Sequence, residues 1–201
     1  SEIMMSPIKY LQTAEVKRLL TVITDPRDRA LFGIIYYYGL RVAEATLLQL
    51  SDIDFTHQTL FIRRVKGGTS GSHPLLSQTA TLLTQYLPHR FSTSPALFTS
   101  KQGALSPRRI QQLFKEYAAQ AGLDKKYSVH CLRHSIATHL LNAGVDLSDV
   151  RDHLGHVNIA TTLVYAQLTD KRRRRILRIM EQSRDIATAP LPPKQERGEV
   201  R

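Results

Sequence analysis

Helix start and stop signals recur along most of the chain, and they constrain its fold more than any other feature of the sequence. Asp25-Pro26 and Ser106-Pro107 each place a capping side chain before a proline that suits the first turn of a helix. Four glycines stand where the amphipathic patterns stop: Gly39, Gly122, Gly144 and Gly155. Because glycine favours the position just after a helix, the chain is predicted to be mostly helical.

A short stretch in the first half of the chain departs from the helical pattern. Residues 53–55 and 59–64 are rich in strand-forming side chains, and an extended run resumes at residues 73–75 after a glycine-rich turn. We expect these runs to form a small antiparallel sheet with Lys66 at its tip. The predicted fold class is therefore α+β, mostly α with a small antiparallel β-sheet.

The length of 201 residues is enough for one domain with a hydrophobic core and short for two. Residues 1–9 are predicted to form a leader, and residues 10–188 the domain. The domain is predicted to end in a basic helix at residues 170–187. Residues 189–201, which are rich in proline and polar side chains, are predicted to be a disordered tail.

Composition indicates a cytoplasmic protein that acts on a polyanion. The sequence has no run of eighteen apolar residues and no signal-peptide pattern. Its single cysteine, Cys131, excludes an intramolecular disulfide and a thiolate-rich zinc site. The formal net charge is +11, and residues 170–201 carry ten Lys and Arg against five Asp and Glu. Such a charge is typical of nucleic-acid-binding proteins, but charge alone does not separate DNA from RNA or an anionic membrane surface.

Six side chains at separate points of the chain suit attack on a phosphodiester by a side-chain oxygen: Arg41, Lys66, His130, Arg133, His156 and Tyr165. Two guanidinium groups can fork onto the non-bridging oxygens, where negative charge gathers in the transition state. A lysine at the tip of a sheet can protonate the departing oxygen. A tyrosine that becomes linked to the phosphate conserves the bond energy that hydrolysis would lose to water.

Three ordered motifs resemble those of the tyrosine recombinases, the integrase family. Residues 38–44, Tyr-Gly-Leu-Arg-Val-Ala-Glu, resemble the family's TGLR-x-x-E box, and residues 130–135, His-Cys-Leu-Arg-His-Ser, resemble its H-x-L-R-H-S/T box. Residues 154–165 contain Leu-Gly-His, then Thr-Thr and then Tyr, and resemble its LGH…TT…Y box. Lys66 precedes Pro74 by eight residues, as in the family's β-turn stretch. The match covers nearly the whole chain.

The resemblance implies the fold of the tyrosine-recombinase catalytic domain and a site-specific DNA recombinase that integrates, excises or inverts DNA. It implies that Tyr165 forms a 3′-phosphotyrosyl link and that Lys66 protonates the released 5′-oxygen. The other four side chains of the set bind the transferring phosphoryl group, and His130 also suits removal of the tyrosine proton. The implied partners are double-stranded DNA at the nucleoid, a homo-tetramer on paired sites and accessory DNA-bending proteins, with no cofactor, metal or membrane.

Two further residues are predicted to support the site. Glu44, three residues after Arg41, is expected to orient it, and His134 is expected to be a structural histidine bonded to the backbone. The spacing of His130, His134 and His139 could suggest zinc, but the same helix supplies no nearby carboxylate or suitably placed thiolate to complete a ligand set. No metal site is therefore predicted.

Cations outside the catalytic set are predicted to contact DNA: Arg63, Arg64, Lys171, Arg172 and Arg173. The last three begin the basic helix, where a run of cations could equally form a solvated face. Apolar residues interleave with them at Ile176, Leu177, Ile179 and Met180, so one side of this helix must pack against something. In the family, the segment after the nucleophile packs onto a neighbouring subunit.

Several alternatives remain at the level of sequence. Most family members carry an additional N-terminal domain that closes around DNA, and nine leader residues cannot form one. In length and in the KGG…SHPLL stretch, residues 66–76, the chain is similar to the small fimbrial phase-variation invertases, but it could also be a fragment of a larger integrase. Two other functions fit the fold: a type IB topoisomerase-like enzyme that nicks and reseals DNA, and a DNA-binding regulator that does not cut.

Overall fold

The computed structural model describes residues 9–65, 67–155, 174–175 and 177–178 of the chain. The chain divides into two compact units, residues 1–164 and 165–201. In the second unit, the described residues Arg174, Arg175, Leu177 and Arg178 are helical and exposed. The predicted leader, apart from Lys9, and the predicted tail lie outside the described residues.

Helices dominate the described part of the first unit: α1 (Thr13–Val22), α2 (Pro26–Tyr37), α3 (Val42–Thr46), α4 (Ser77–Tyr86), α5 (Pro107–Gln120), α6 (His130–Asn142) and α7 (Leu147–His153). Short 3-10 turns occur at Leu50–Asp52 and Leu87–His89. None of the helices that the structure describes is long and apolar enough to cross a membrane.

Local capping explains where several of these helices begin. The Asp25 carboxylate accepts a hydrogen bond from the Asp28 amide at 3.1 Å, and the Ser106 hydroxyl accepts one from the Arg109 amide at 3.2 Å, as the sequence predicts. At α4 the sequence also favours Ser77 as the cap, because serine is a common N-cap. This prediction is wrong: Ser77 is the first helical residue, and the residue before it occupies the N-cap position without a side-chain bond.

A three-stranded antiparallel sheet lies between α3 and α4 in the chain, with the order β1 (Ile53–Asp54), β2 (Thr59–Ile62) and β3 (Gly71–Pro74). Leu60 pairs with Ile53 on one side and with His73 on the other. The sheet is the predicted one, but β1 and β2 end earlier than predicted and β3 begins two residues earlier, at Gly71. Residues 88–104 are rich in Pro, Ser, Thr and Gly and are predicted to be a loop, but a hairpin of β4 (Thr99–Ser100) and β5 (Gly103–Ala104) forms within them. Strands of two residues are too short to show an alternating pattern in the sequence.

The core of the first unit is built around α2. Residues 30–36 of this helix are all buried, and it packs against α4 and α6. The Phe32 ring also meets the Phe114 ring of α5 edge-on, with centroids 6.0 Å apart. A helix that is apolar on all sides belongs in the centre of a domain. The end of α2 is therefore fixed from several directions, and the Arg41 turn begins at that end.

Candidate active site

Arg41 lies in a tight turn that connects α2 to α3. Gly39 has a φ of +57°, a left-handed conformation that glycine adopts without steric cost. A Cβ atom at this position would also collide with the side chain of Leu154. Backbone hydrogen bonds of 3.2 and 3.0 Å close the turn onto the last turn of α2. Arg41 is thus held at the N-cap of α3, with 26% of its side chain exposed.

The carboxylate of Glu44 is completely buried and joins the Arg41 turn to the sheet region. It accepts hydrogen bonds of 2.9 Å from the Arg41 amide and from Arg41 Nη1, one of 2.9 Å from Arg64 Nη1 and one of 3.3 Å from the Val65 amide. Arg133 Nη1 lies 3.9 Å from the same carboxylate. One buried anion therefore organises three guanidinium groups.

The pKa of Glu44 reflects two opposing influences. Desolvation is the largest single influence and would raise this pKa, but the hydrogen bond from the Arg41 amide and the charge of Arg64 oppose it. The combined effect of these and of the remaining donors lowers the pKa of Glu44 below its ordinary value. Glu44 is therefore ionised at neutral pH.

Arg133 lies on α6, and only 5% of its side chain is exposed. Its Nη1 donates to the carbonyl of Gly39, and its Nη2 donates to the carbonyl of Leu154 at 3.1 Å. Desolvation, and then repulsion from Arg41, lower the pKa of the Arg133 guanidinium to about 10, so it stays protonated at neutral pH. Arg133 fixes the Gly39 turn against the end of α7, and a guanidinium has further N–H groups for a ligand.

His130 is the first residue of α6 and remains exposed at the surface. The edge of its ring meets the ring of His134, with centroids 4.6 Å apart. Desolvation of the imidazole, followed by repulsion from Arg133 and Arg41, lowers the pKa of His130 below its ordinary value. The imidazole of His130 is therefore neutral at pH 7 and able to accept a proton.

His134 is more strongly affected by its surroundings. Desolvation, and then the neighbouring His130 and Arg133, lower the pKa of His134 to about 4. We predicted a backbone hydrogen bond for this side chain, but within residues 9–65 and 67–155 it makes none and contacts His130 through its ring. The backbone hydrogen bond of His134 therefore stays a prediction.

An open groove of about 580 Å³ lies at this site and is lined in part by Arg41 and His130. Gln111 and Lys115 of α5 also line it, and our reading of the sequence missed both. They stand four residues apart on the exposed side of an amphipathic helix, so they share one face. That spacing was the available signal, and Lys115 adds a cation to a groove that already contains Arg41.

Arg64 does not occupy the position that we predicted. Its side chain has no exposed surface, and its Nη2 donates to the carbonyls of Tyr38 at 3.1 Å and His153 at 2.8 Å, in addition to the Nη1 bond to Glu44. The predicted contact of Arg64 with DNA is therefore corrected, because the guanidinium is used inside the protein. Arg63, with 37% of its side chain exposed, stays a predicted DNA contact.

Two histidines that were not selected from the sequence pack beside Tyr38. The His153 ring stacks on the Tyr38 ring at 6.1 Å, and the His73 ring meets both of them edge-on. His153 Nε2 also donates to the carbonyl of Tyr37 at 2.8 Å. Desolvation is the main cause that lowers the pKa of both histidines, to about 4 for His73. They are neutral packing residues that join β3 and α7 to the end of α2.

Comparison with known proteins decides the family, since the sequence model of the Phage integrase family matches residues 9–172. The chain belongs to the phage integrase family. The tyrosine recombinase XerA of Pyrococcus horikoshii is 36% identical over 170 residues, which cover 83% of this chain and 59% of XerA. The tyrosine recombinase XerC of Pelotomaculum thermopropionicum is 38% identical over 165 residues, which cover 76% of this chain and 53% of XerC.

Solved structures agree with this assignment. The crystal structure of XerA recombinase matches with a TM-score of 0.71 and 30% identity, over 85% of this chain and 65% of that chain. XerH site-specific recombinase, bound to difH substrate in a pre-cleavage complex, matches with a TM-score of 0.68 and 26% identity, over 82% of this chain and 52% of that chain. The predicted tyrosine-recombinase catalytic fold is confirmed, and the chain spans under two thirds of each of these relatives.

Some of the predicted family residues lie outside the described part of the chain: Lys66, His156, Tyr165, Lys171, Arg172 and Arg173. Their roles stay predictions. The described residues supply the other half of the predicted catalytic set. Arg41 and Arg133, from separate segments of the chain, meet at Glu44, and all three influence the charge of His130, which lies on the same helix as Arg133.

His139, one of the three histidines whose spacing could suggest zinc, forms hydrogen bonds within the protein. His139 Nε2 lies 2.8 Å from the carbonyl of Leu11, and its Nδ1 lies 2.8 Å from the Tyr36 hydroxyl. Because a carbonyl only accepts, Nε2 is the donor and Nδ1 accepts from the hydroxyl. In the part of the chain that the structure describes, no three His, Cys, Asp or Glu side chains form a group that could hold a metal ion.

Proposed function

We propose that this chain is the catalytic domain of a site-specific recombinase that cuts and rejoins double-stranded DNA through a 3′-phosphotyrosyl intermediate. One observation carries the proposal. Arg41 and Arg133 meet at the buried carboxylate of Glu44, His130 lies on the helix that carries Arg133, and Arg41 and His130 line an open groove. Membership of the phage integrase family and the likeness to a recombinase solved with its DNA substrate support it.

The two arginines are proposed to bind the phosphate that is cut. Arg41 is partly exposed in the groove, whereas Arg133 is anchored by the carbonyls of Gly39 and Leu154. Both guanidinium groups are held in place before substrate arrives, so little reorganisation is needed when negative charge develops on the non-bridging oxygens. Exposed Arg63 and groove-lining Lys115 are proposed to contact neighbouring phosphates of the DNA backbone.

The covalent step is proposed to begin with Tyr165. Its hydroxyl oxygen attacks phosphorus and forms a P–O bond while the bond from phosphorus to the 5′-oxygen breaks. His130, whose pKa is lowered, takes the tyrosine proton, and Lys66 gives a proton to the departing 5′-oxygen. His156 is proposed to donate a hydrogen bond to the same phosphate. A 5′-hydroxyl from another strand then attacks the phosphotyrosine, which reverses these proton transfers and needs no cofactor.

A nicked suicide substrate tests the proposal directly, because it traps the covalent intermediate. The wild-type chain should form a protein–DNA adduct, and Tyr165→Phe should form none. Tyr127→Phe is the matched control, since the Tyr127 hydroxyl makes a 3.4 Å contact with Glu15 and lies outside the proposed site. An adduct that persists in Tyr165→Phe would remove Tyr165 as nucleophile, and a wild-type chain that binds DNA without any adduct would favour the non-cutting regulator.

We further propose that strand exchange requires a homo-tetramer on paired sites. Leu177 is 57% exposed in the predicted basic helix, and it belongs to the apolar residues that we expect to pack onto a neighbouring protomer. A chain that lacks residues 170–201 should keep its fold and residual DNA binding but should not form a synaptic complex or exchange strands. Undiminished recombination by the shortened chain would contradict this, and nicking and resealing on a single site by a monomer would favour the topoisomerase-like alternative.

A further inference from the structure

We propose that Arg64 is a positioning residue for the cleavage reaction. Its side chain holds the segments that lead to Lys66 and His156 against the Arg41 turn. The inference rests on the function proposed above. It assigns no contact between Arg64 and DNA. The role is to set the relative positions of three chain segments, each of which carries a proposed catalytic residue.

The contacts of Arg64 reach two segments besides its own, the Arg41 turn with α3 and the end of α7. Nη1 donates to Glu44, which also holds Arg41, at 2.9 Å. Nη2 donates to the carbonyl of Tyr38, at the start of the Arg41 turn, at 3.1 Å, and to the carbonyl of His153, the last residue of α7, at 2.8 Å. The whole side chain is buried, so water does not compete for these bonds and each one constrains the position of its acceptor.

Arg64 also packs tightly against the residue that precedes His156. Gly155 has a φ of +78°, and a Cβ atom there would lie 2.7 Å from Arg64 Cγ and 2.8 Å from Arg64 Nε. Only glycine lets the backbone approach the guanidinium so closely. Arg64 and Arg133 together satisfy the carbonyls of His153 and Leu154, where a positive charge favours the C-terminus of α7.

The backbone around Arg64 is tied to the same centre. Its amide donates to the Ser70 hydroxyl at 2.9 Å, and the amide of Val65 donates to Glu44 at 3.3 Å. The amide of Gly68 closes the turn by donating to the carbonyl of Val65 at 3.3 Å. Both ends of the turn that contains Lys66 are therefore anchored to described residues, and Arg64 connects this anchor to the Arg41 turn.

A purely stabilising role does not explain an arginine at this position. Desolvation opposes its charge, and burying an ion pair often stabilises a fold no more than apolar residues of similar size would. Leu60 and Ile62 fill the preceding positions on the same face of β2 with buried apolar side chains. What arginine adds at position 64 is directional bonding to three acceptors at once, which an apolar residue cannot supply.

The experiment compares Arg64→Met and Arg64→Lys with Arg90→Met. Arg90 is the matched control because it also donates to backbone carbonyls, but only to those of Ser92, Ser94, Ala96 and Leu97 in its own loop. For each full-length variant we would measure circular dichroism, the Kd for duplex DNA and the single-turnover rate of adduct formation on the suicide substrate at saturating protein. Amide hydrogen exchange at Leu154 and Gly155 reports the end of α7 without any need for activity.

In Arg64→Met we expect the rate of adduct formation to fall about 100-fold, as for a misplacement of about 1 Å in a reacting group, with Kd changed less than threefold. Exchange at Leu154 and Gly155 should accelerate, and Arg64→Lys should be intermediate. Arg90→Met should leave the adduct rate and this exchange unchanged. If Arg64→Met does not fold, Arg64→Lys decides alone: a slower rate at unchanged Kd supports the proposal, and a wild-type rate overturns it.

Three other results would also overturn it: a wild-type rate in folded Arg64→Met, a parallel loss of rate and binding, or equal losses in Arg90→Met. Adduct formation by the wild-type chain distinguishes a failure of this inference from a failure of the proposed function. If the wild type forms no adduct, the proposed function fails and the inference fails with it. If the wild type forms an adduct that Arg64 substitutions do not slow, only the inference about Arg64 fails.

Discussion

Replacement of Glu44 by glutamine tests whether one buried carboxylate organises the site. Glu44→Gln keeps the shape of the side chain and one carbonyl oxygen, which can still accept the hydrogen bond from the Arg41 amide. It removes the negative charge that faces Arg41, Arg64 and Arg133. Arg64 then becomes a buried cation that bonds only to neutral acceptors, which is the main source of the expected loss.

The magnitude follows from the burial of this group. Breaking a buried ion pair by removing one partner costs about 3–5 kcal/mol, and we expect about 3 kcal/mol because glutamine retains part of the hydrogen bonding. For a domain of this size, about 2–4 °C of Tm accompanies each kcal/mol, so Tm should fall by about 6–12 °C. Glu116→Gln removes the same charge from an exposed pair with Arg109, and it should cost about 0–1 kcal/mol.

The pH dependence provides a second check. The folded pKa of Glu44 is lowered, so its contribution to the free energy of unfolding is fully present above the ordinary glutamate value of 4.5 and is lost as the pH falls through the folded pKa. The difference between wild type and Glu44→Gln should therefore be constant near neutral pH and shrink below about pH 4.5. Urea unfolding followed by circular dichroism measures it. Equal stabilities of Glu44→Gln and Glu116→Gln at pH 7 would refute the reasoning.

Four further outcomes are expected. Arg41→Ala and Arg133→Ala should each slow adduct formation by about 10²–10³, the usual effect of losing one preorganised donor, with far smaller loss of DNA binding; a parallel loss would make them docking residues. Gly39→Ala should lower the free energy of unfolding by more than about 2 kcal/mol, because an alanine in the left-handed conformation costs about 1–2 kcal/mol and its Cβ would also collide with Leu154. Thermal melts measure this loss, and Gly71→Ala, which has open space around it, is the control. Since the pKa of His130 is lowered, the acid limb of the cleavage rate should lie below pH 6.5, and a limb above that value would exclude His130 as the base. Excess EDTA should leave cleavage unchanged, and inhibition reversed by added Mg²⁺ or Zn²⁺ would contradict the prediction that cleavage needs no metal.

The features that the sequence predicted well depend on local chemistry. Asp25 and Ser106 mark helix starts because their side chains bond amides three residues away, and a short window of sequence contains both partners. In the same way, the helical pattern that stops before Gly144 predicts a helix at about residues 130–142, and α6 has these bounds. Arg41, His130 and Arg133 were found through short motifs, and their meeting in space follows from the fold that those motifs imply.

The features that were missed depend on partners distant in sequence. Arg64 continues the alternation of Leu60 and Ile62 on the buried face of β2, so its direction was readable from the period of a strand. The burial of Arg64 could not be predicted, because a buried arginine needs a buried carboxylate as its partner, and Glu44, which supplies it, is distant in sequence.

The three guanidinium groups around Glu44 leave the centre of the domain with a formal excess of positive charge, since three cations face one anion. These cations repel each other, and repulsion from Arg41 contributes to the lowered pKa of Arg133. A domain optimised only for stability would carry fewer of them, because a self-repelling cluster works against the compact state. The cluster therefore marks a trade-off between stability and activity. Substitutions that neutralise one cation can raise the stability of the unliganded domain while they lower its affinity for a phosphate.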